Sequence, residues 1–331
     1  MKTIEVEKTG GPDVLHIQDI GGLEPPGPGQ ALVRIVYAGV NFVDVGQRRG
    51  TYPREVPFTP GVEAAGVVES VGDDVPWVKP GDRVAYTGEP GAYAEASLVR
   101  ADRLIVLPDD ISFEQGAAFP LQGVTVHYLI HEFKLPGHGD FVLIHAAAGG
   151  VGLHLVQWAK HLGANVIGTV STEEKARIAR DAGADHVILY TKQDFAIETR
   201  RLTKGRGADL IIDGVGKSTF KGDMDTVAIR GQIIMFGATS GPADPISPNA
   251  LMGRSISISG GSLSNFISTR EELLHRASEV IQGIQEGWLK LKIDRILDLS
   301  EAAEAHRLLE NRETSGKILL APPADARSQA A

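Results

Sequence analysis

One eight-residue run, His145-Ala146-Ala147-Ala148-Gly149-Gly150-Val151-Gly152, constrains this chain more than any other. It joins an apolar, strand-like segment, 140–145, to a segment with helical periodicity, 151–162. Where a strand passes through a glycine turn into a helix, the first helical N–H groups face outward and favour an anion there, such as a dinucleotide pyrophosphate. Gly149 has no Cβ to hold phosphates away, and Gly152 lets helix and strand pack closely. Ala147 stands at the usual first glycine, so the motif reads A-x-G-x-x-G. The same glycines also serve a tight turn that binds nothing, so the surrounding pattern has to decide.

That pattern is an alternation. Apolar segments at 141–145, 165–170, 186–189, 210–213, 232–236 and 255–259 are separated by helical periods, which predicts an α/β fold with a doubly wound parallel sheet. Upstream, short β-rich runs such as 31–37 and 65–71 alternate with turns such as Lys79-Pro80-Gly81-Asp82 as far as about residue 106. They predict a compact, mostly antiparallel, barrel-like domain. The C-terminal part returns to that texture, with a helix over 269–284 opened by a Thr269/Glu272 capping box, a helix over 299–309 and a closing strand over 317–320. A chain of 331 residues exceeds one ordinary core. The expected division is 1–123 with 264–331 as one domain and 124–263 as the other. After Pro322-Pro323 the tail, 324–331, has nothing to bury and is expected to fray.

Composition removes several classes of function. Lys and Arg total 33 against 42 Asp and Glu, a formal net charge of −9. No nucleic-acid partner and no anionic membrane surface is expected for such a chain. Cysteine is absent, which excludes disulfides, thiolate nucleophiles and zinc sites built on cysteine. The first eight residues alternate charged and apolar side chains, and no apolar run approaches the ~20 residues of a membrane span. A soluble, cytoplasmic protein without membrane insertion is expected.

The second strand of the parallel sheet leads into Ser171-Thr172-Glu173-Glu174-Lys175. An enzyme that holds an unphosphorylated ribose usually ends this strand with Asp or Glu, and 168–172 contains neither. A 2′-phosphate fits instead, with Lys175 as its ammonium partner and Ser171 as a hydrogen-bond donor. The alternative is that Ser171 and Glu174 form a capping box while Lys175 is solvated. The fourth and fifth strands end in Asp213-Gly214-Val215-Gly216 and Phe236-Gly237-Ala238-Thr239. Gly214, Val215, Phe236, Gly237 and Thr239 therefore border the crevice where a ligand crosses such a sheet, although simple turn chemistry accounts for the glycines equally well.

Several motifs, taken in order, resemble the medium-chain dehydrogenase/reductase superfamily: Gly61-Val-Glu-Ala-Ala-Gly66, Val71-Gly72, Lys79-Pro-Gly-Asp-Arg-Val84, the 146–152 turn, Ala305-His306 and Gly316-Lys317. Within it the chain is similar to the zinc-independent quinone oxidoreductases of the zeta-crystallin type, from Gly11 to Leu320. The resemblance implies a GroES-like β-rich catalytic domain joined to a Rossmann domain, NADPH as hydride donor and quinones as substrates. It places Asn41 and Tyr52 beside nicotinamide and substrate. Asn41 would donate to a carbonyl oxygen, and Tyr52 would offer a ring face and a hydroxyl. Another tyrosine, often found six residues before Tyr52 in this group, is Gly46 here, a departure that implies a wider or less polar pocket. Thr125 falls near the nicotinamide, Gly149, Gly150 and Val151 at the pyrophosphate, and Lys175, Tyr190 and Arg312 around the adenine and 2′-phosphate. Ser262 and Leu263, after the sixth strand, border the cofactor.

The departures from the zinc-dependent branch carry chemistry. Asn41 replaces a cysteine ligand, Val62 stands where a histidine ligand precedes Glu63, and Val43 falls near the proton-relaying hydroxyl. Lewis acid, ligand and proton path are lost together, so the acceptor has to be electrophilic by itself, as quinones and activated alkenes are. No metal is expected; His127 and His131, four apart on a helix, lack further ligands at a suitable spacing. The expected function is an NADPH-dependent quinone reductase. The alternatives are an NADPH-dependent enone or alkenal reductase and, from another class, a lens-structural or RNA-binding zeta-crystallin-like protein. The segment 254–260 would form an edge strand and pair with a second copy in a homodimer.

Overall fold

The computed structural model describes residues 1–324 and 326. The expectation of a frayed tail at 324–331 falls, apart from Ala324 and Ala326, outside the described residues. In chain order the first strands are β1 (Lys2–Glu5), β2 (His16–Asp19), β3 (Gln30–Gly39), β4 (Glu63–Val71), β5 (Arg83–Thr87), β6 (Ala96–Arg100) and β7 (Ile105–Val106). They are followed by β8 (Phe141–Ile144), β9 (Asn165–Val170), β10 (His186–Leu189), β11 (Ala208–Asp213), β12 (Val227–Met235), β13 (Ser257–Gly260), β14 (Ile293–Asp298) and β15 (Lys317–Ala321). The helices are α1 (Phe42–Arg49), α2 (Phe113–Ala118), α3 (Pro120–His131), α4 (Gly150–His161), α5 (Glu173–Asp181), α6 (Phe195–Leu202), α7 (Phe220–Thr226), α8 (Leu263–Phe266), α9 (Arg270–Gln285) and α10 (Ala302–Glu310).

Two compact units result, one comprising 1–121, 269–281 and the described residues from 291 onward, the other 122–268 and 282–290. The sequence pattern assigns 1–123 and all of 264–331 to the first unit, whereas 122–123, 264–268 and 282–290 group with the second.

The first unit is built on a seven-stranded sheet in the order β14-β15-β3-β4-β5-β7, with β6 paired to β3. All its pairings are antiparallel except β14 with β15. Alternation along β3 sends Val33 and Ile35 inward onto Val68, Val84, Tyr86, Tyr93 and Leu320. The Thr269/Glu272 capping box forms, each backbone N–H reaching the other side chain at 3.2 Å.

The second unit is a six-stranded sheet in the order β10-β9-β8-β11-β12-β13, parallel throughout. All six residues of β11 are buried, as expected for a parallel strand covered on both faces. The strand order reverses between β8 and β11, and at such a point the loops leaving the two strands diverge and open a crevice. β13 lies at the sheet edge, as its position in the sequence implies. It begins later than expected because Ser255 takes a left-handed conformation (φ 51°) and Ile256 turns into the core, its N–H bonded to Leu251 O at 3.1 Å. No helix among the described residues is long and apolar enough to cross a membrane.

Candidate active site

The second unit collects most of the expected nucleotide contacts at the carboxyl edge of its sheet. Gly149 caps α4 in an extended conformation and supplies no side-chain acceptor, so the leading N–H groups of Gly150, Val151 and Gly152 have no intrahelical partner. Gly152 is required sterically: a Cβ there would lie 2.2 Å from Ala146 O. At Gly150 it would meet the Gln122 side chain at 2.1 Å. These are the features of a backbone cradle that an anion can approach.

Around this turn, Ser171 follows β9, Lys175 lies in the first turn of α5, and Tyr190 follows β10, half exposed. The cap of α5 is Thr172, whose hydroxyl accepts from Lys175 N at 3.2 Å. The Ser171/Glu174 capping box does not form; Ser171 instead accepts the Thr191 hydroxyl at its carbonyl, 2.9 Å away. Gly214 and Val215 follow β11, and Phe236, Gly237 and Thr239 follow β12. Neither Gly214 nor Gly237 has a positive φ. Their reason is close approach, since a Cβ on Gly214 would meet the Phe236 ring at 2.7 Å and one on Gly237 would meet Gly214 O at 2.9 Å. Ser262 precedes α8 and Leu263 opens it, while Thr125 is buried within α3. Arg312, in the first unit, follows α10 with φ 61°.

In the first unit, Asn41 and Tyr52 flank α1. Asn41 is 4% exposed. As N-cap residue its side chain would ordinarily cap the helix, but it turns inward. Its Nδ2 donates to Glu63 Oε2 at 2.9 Å and Gly39 O at 3.2 Å, and its Oδ1 accepts from Lys317 Nζ at 2.7 Å. Only this orientation of the amide satisfies both neighbours. Both N–H bonds are therefore engaged, and the expected donation from Asn41 to a substrate carbonyl has no hydrogen left to make it. Glu63 also accepts from Lys317 Nζ and, through Oε1, from Leu121 N at 2.6 Å. The carboxylate and the ammonium are 0% and 1% exposed, so each charge depends on the other. A Cβ at Gly39 would fall 2.5 Å from Glu63 Oε2 and 2.7 Å from Lys317 Cε, so the glycine there makes room for the pair. Tyr52 is 51% exposed.

Next to this cluster Asp44 Oδ2 accepts Asn41 N at 2.8 Å and the Tyr93 hydroxyl at 3.0 Å. Burial pushes its carboxyl up to about 7, against the pull of those bonds and of Lys317. His306 Nε2 lies 3.2 Å from the Tyr93 oxygen. Burial, aided by Arg48, holds that imidazole down near 3. With the Tyr93 hydroxyl donating to Asp44, the neutral ring meets that oxygen as the donor, through Nε2–H.

The N-terminal part of the chain matches the family described as "Alcohol dehydrogenase GroES-like domain" over residues 27–109. The later part matches "Zinc-binding dehydrogenase" over 150–279. The chain is 42% identical over 325 residues to a quinone oxidoreductase of Pseudomonas aeruginosa, covering 97% of this chain and 99% of that protein. It is 40% identical to a 2-haloacrylate reductase of a Burkholderia species, covering 96% and 98%. The Escherichia coli quinone oxidoreductase complexed with NADPH superposes with a TM-score of 0.94 at 38% identity, covering 97% of this chain and all of that one. The chain belongs to the quinone oxidoreductases of the medium-chain dehydrogenase/reductase superfamily. Its first unit is the GroES-like part and its second the Rossmann part.

Two groups escaped the sequence. His145, buried just past the end of β8, bonds Asp223 Oδ1 at 2.7 Å and Thr169 Oγ1 at 2.9 Å, with its ring edge-on to Phe195. Burial opposes its protonation, yet Asp223 and Asp213 outweigh that and raise it, while burial lifts Asp223 to about 6. Asp213 anchors the 214–219 loop through Val215 N, Gly216 N and the Thr219 hydroxyl. Lys317 was visible only as a motif residue, because 276 residues separate it from Asn41 and no local spacing connects them. His127 and His131, the pair already singled out on α3, stack on each other at 4.6 Å, and both lie edge-on to Trp158.

Proposed function

We propose that the protein is an NADPH-dependent quinone reductase that works without zinc. The observation that carries this reading is the Asn41–Glu63–Lys317 cluster. A buried ammonium already neutralises the one carboxylate there and engages the amide oxygen. A second cation would add like charge to a desolvated site, so polarisation of an unreactive carbonyl or alcohol by a metal at this position is disfavoured. That points to an acceptor that takes hydride unaided, a quinone above all.

NADPH supplies that hydride when bound. The protein's own part is binding and orientation. The uncapped start of α4 offers N–H groups to a pyrophosphate, and the end of β9, free of carboxylates, leaves room for a 2′-phosphate beside Lys175. The match to a relative complexed with NADPH supports the same cofactor here. In the first unit, Tyr52 offers an exposed ring and a hydroxyl to the acceptor. Asn41 holds the start of α1 in place.

The similarity to a 2-haloacrylate reductase favours a second reading, reduction of an activated C=C bond. Steady-state turnover with NADPH separates the two. A kcat/KM for 1,4-benzoquinone well above that for methyl vinyl ketone or 2-chloroacrylate is expected; the reverse order would replace the quinone reading with the alkene one. We further propose a homodimer through the edge strand β13.

A further inference from the structure

Gly46 sits inside α1, where glycine weakens a helix relative to alanine. The reason is Tyr52. A Cβ on Gly46 would lie 2.3 Å from Tyr52 Cδ2 and 2.5 Å from Cε2, so one edge of the ring rests directly on the helix backbone. The Tyr52 N–H closes the same contact by donating to Gly46 O at 3.1 Å, across the left-handed turn at Gly50 (φ 83°). The ring is thus fixed by backbone on one side. The residue is 51% exposed, and its hydroxyl makes no hydrogen bond to any described residue. The missing side chain at 46 therefore leaves no empty pocket: Tyr52 occupies the room.

We propose that Gly46 is a specificity-determining residue, which fixes the Tyr52 ring as a stacking surface for planar, fused-ring acceptors. This rests on the quinone-reductase reading. An aromatic face already held in place loses little freedom when a ligand covers it. A two-ring quinone overlaps more of that face than a one-ring quinone does, and a short alkene has no ring to stack.

The test compares kcat/KM for 1,4-naphthoquinone with that for 1,4-benzoquinone, using NADPH. Gly46→Ala puts a methyl group where the ring edge lies and displaces Tyr52. The naphthoquinone preference is expected to fall by about 3- to 10-fold, the worth of one aromatic stack. The change should appear in KM, with kcat within about two-fold and the NADPH dissociation constant unchanged. Tyr52→Phe should keep the preference and Tyr52→Leu should lose it. Gly46→Ala should do nothing further in the Tyr52→Leu background. Calorimetric binding of 2-naphthol, which cannot be reduced, reads the surface without turnover. Wild-type protein that binds 2-naphthol more tightly than Tyr52→Leu but reduces no quinone would refute the functional reading and leave the stacking surface standing. Tyr52→Leu or folded Gly46→Ala that keeps both the preference and the naphthol affinity would overturn the proposal. An effect of Gly46→Ala that persists without the Tyr52 ring would overturn it too.

Discussion

Ala147 and Gly168 show how one residue's departure is absorbed by another. A Cβ on Gly168 in β9 would lie 2.7 Å from Ala147 Cβ, so the alanine at the motif's first position fills space that only a glycine opposite can yield. Gly168→Ala is expected to cost about 1 to 3 kcal/mol, the usual penalty of overpacking. Ala147→Gly in the same protein should restore part of it. Urea unfolding of the two single variants and the double variant measures that coupling; strictly additive losses would contradict it. Asp44 carries a pH signature. Its carboxyl titrates at about 7 in the folded protein against 3.8 for the free group. The folded state therefore binds more protons between those values, and this contribution to stability, complete below about pH 4, is lost as pH rises through 7. Asp44→Asn keeps an acceptor oxygen for Tyr93 and Asn41 N, so its melting temperature should gain on the wild type from pH 4 to pH 7. Parallel curves would remove Asp44 from the account. Neither position could be read from the sequence, where Gly168 is one strand residue and Asp44 one helix residue.

Among elements, β15 matters through Lys317, which joins β4 at Glu63 to the entrance of α1 at Asn41. Glu63 in turn holds Leu121 N at the start of α3. Lys317→Met leaves a fully buried carboxylate unpaired and is expected to lose about 3 to 5 kcal/mol. Glu63→Gln together with Lys317→Met removes both charges and should lose less than the two single changes summed. Guanidinium unfolding decides, and a harmless Lys317→Met would mean that the pair is not charged. The strands of the parallel sheet were legible because strands covered on both faces carry apolar runs at their centres, as β11 does at Leu210-Ile211-Ile212. Their ends were not. β12 starts at Val227, five residues before the expected 232, because Arg230 with φ 61° and Gly231 read as a turn yet lie within the strand. The glycine turn was legible for a similar reason: its function depends on backbone N–H groups and small residues adjacent in sequence. The Asn41 cluster is assembled from three distant strand and loop positions, and only the fold brings them together.

At the scale of the molecule, β13 leaves one edge of the second unit's sheet unpaired among the described residues. Ile256 belongs to the core, so proline at 256 would damage the fold rather than probe that edge. Charges at exposed Met252 and Ser257 test the dimer instead. Light scattering is expected to give a dimer for the wild type and a shift towards monomer for Met252→Glu/Ser257→Glu; a monomeric wild type at micromolar concentration would refute the assembly.

The central claim, hydride transfer from NADPH to a quinone with Lys317 in place of a metal, meets its most direct test in one measurement. NADPH oxidation by 1,4-benzoquinone is followed before and after exhaustive treatment with a strong chelator, with the zinc content determined alongside. The account predicts unchanged kcat/KM and zinc far below one ion per chain. Stoichiometric zinc whose removal abolishes turnover, and whose return restores it, would contradict the account.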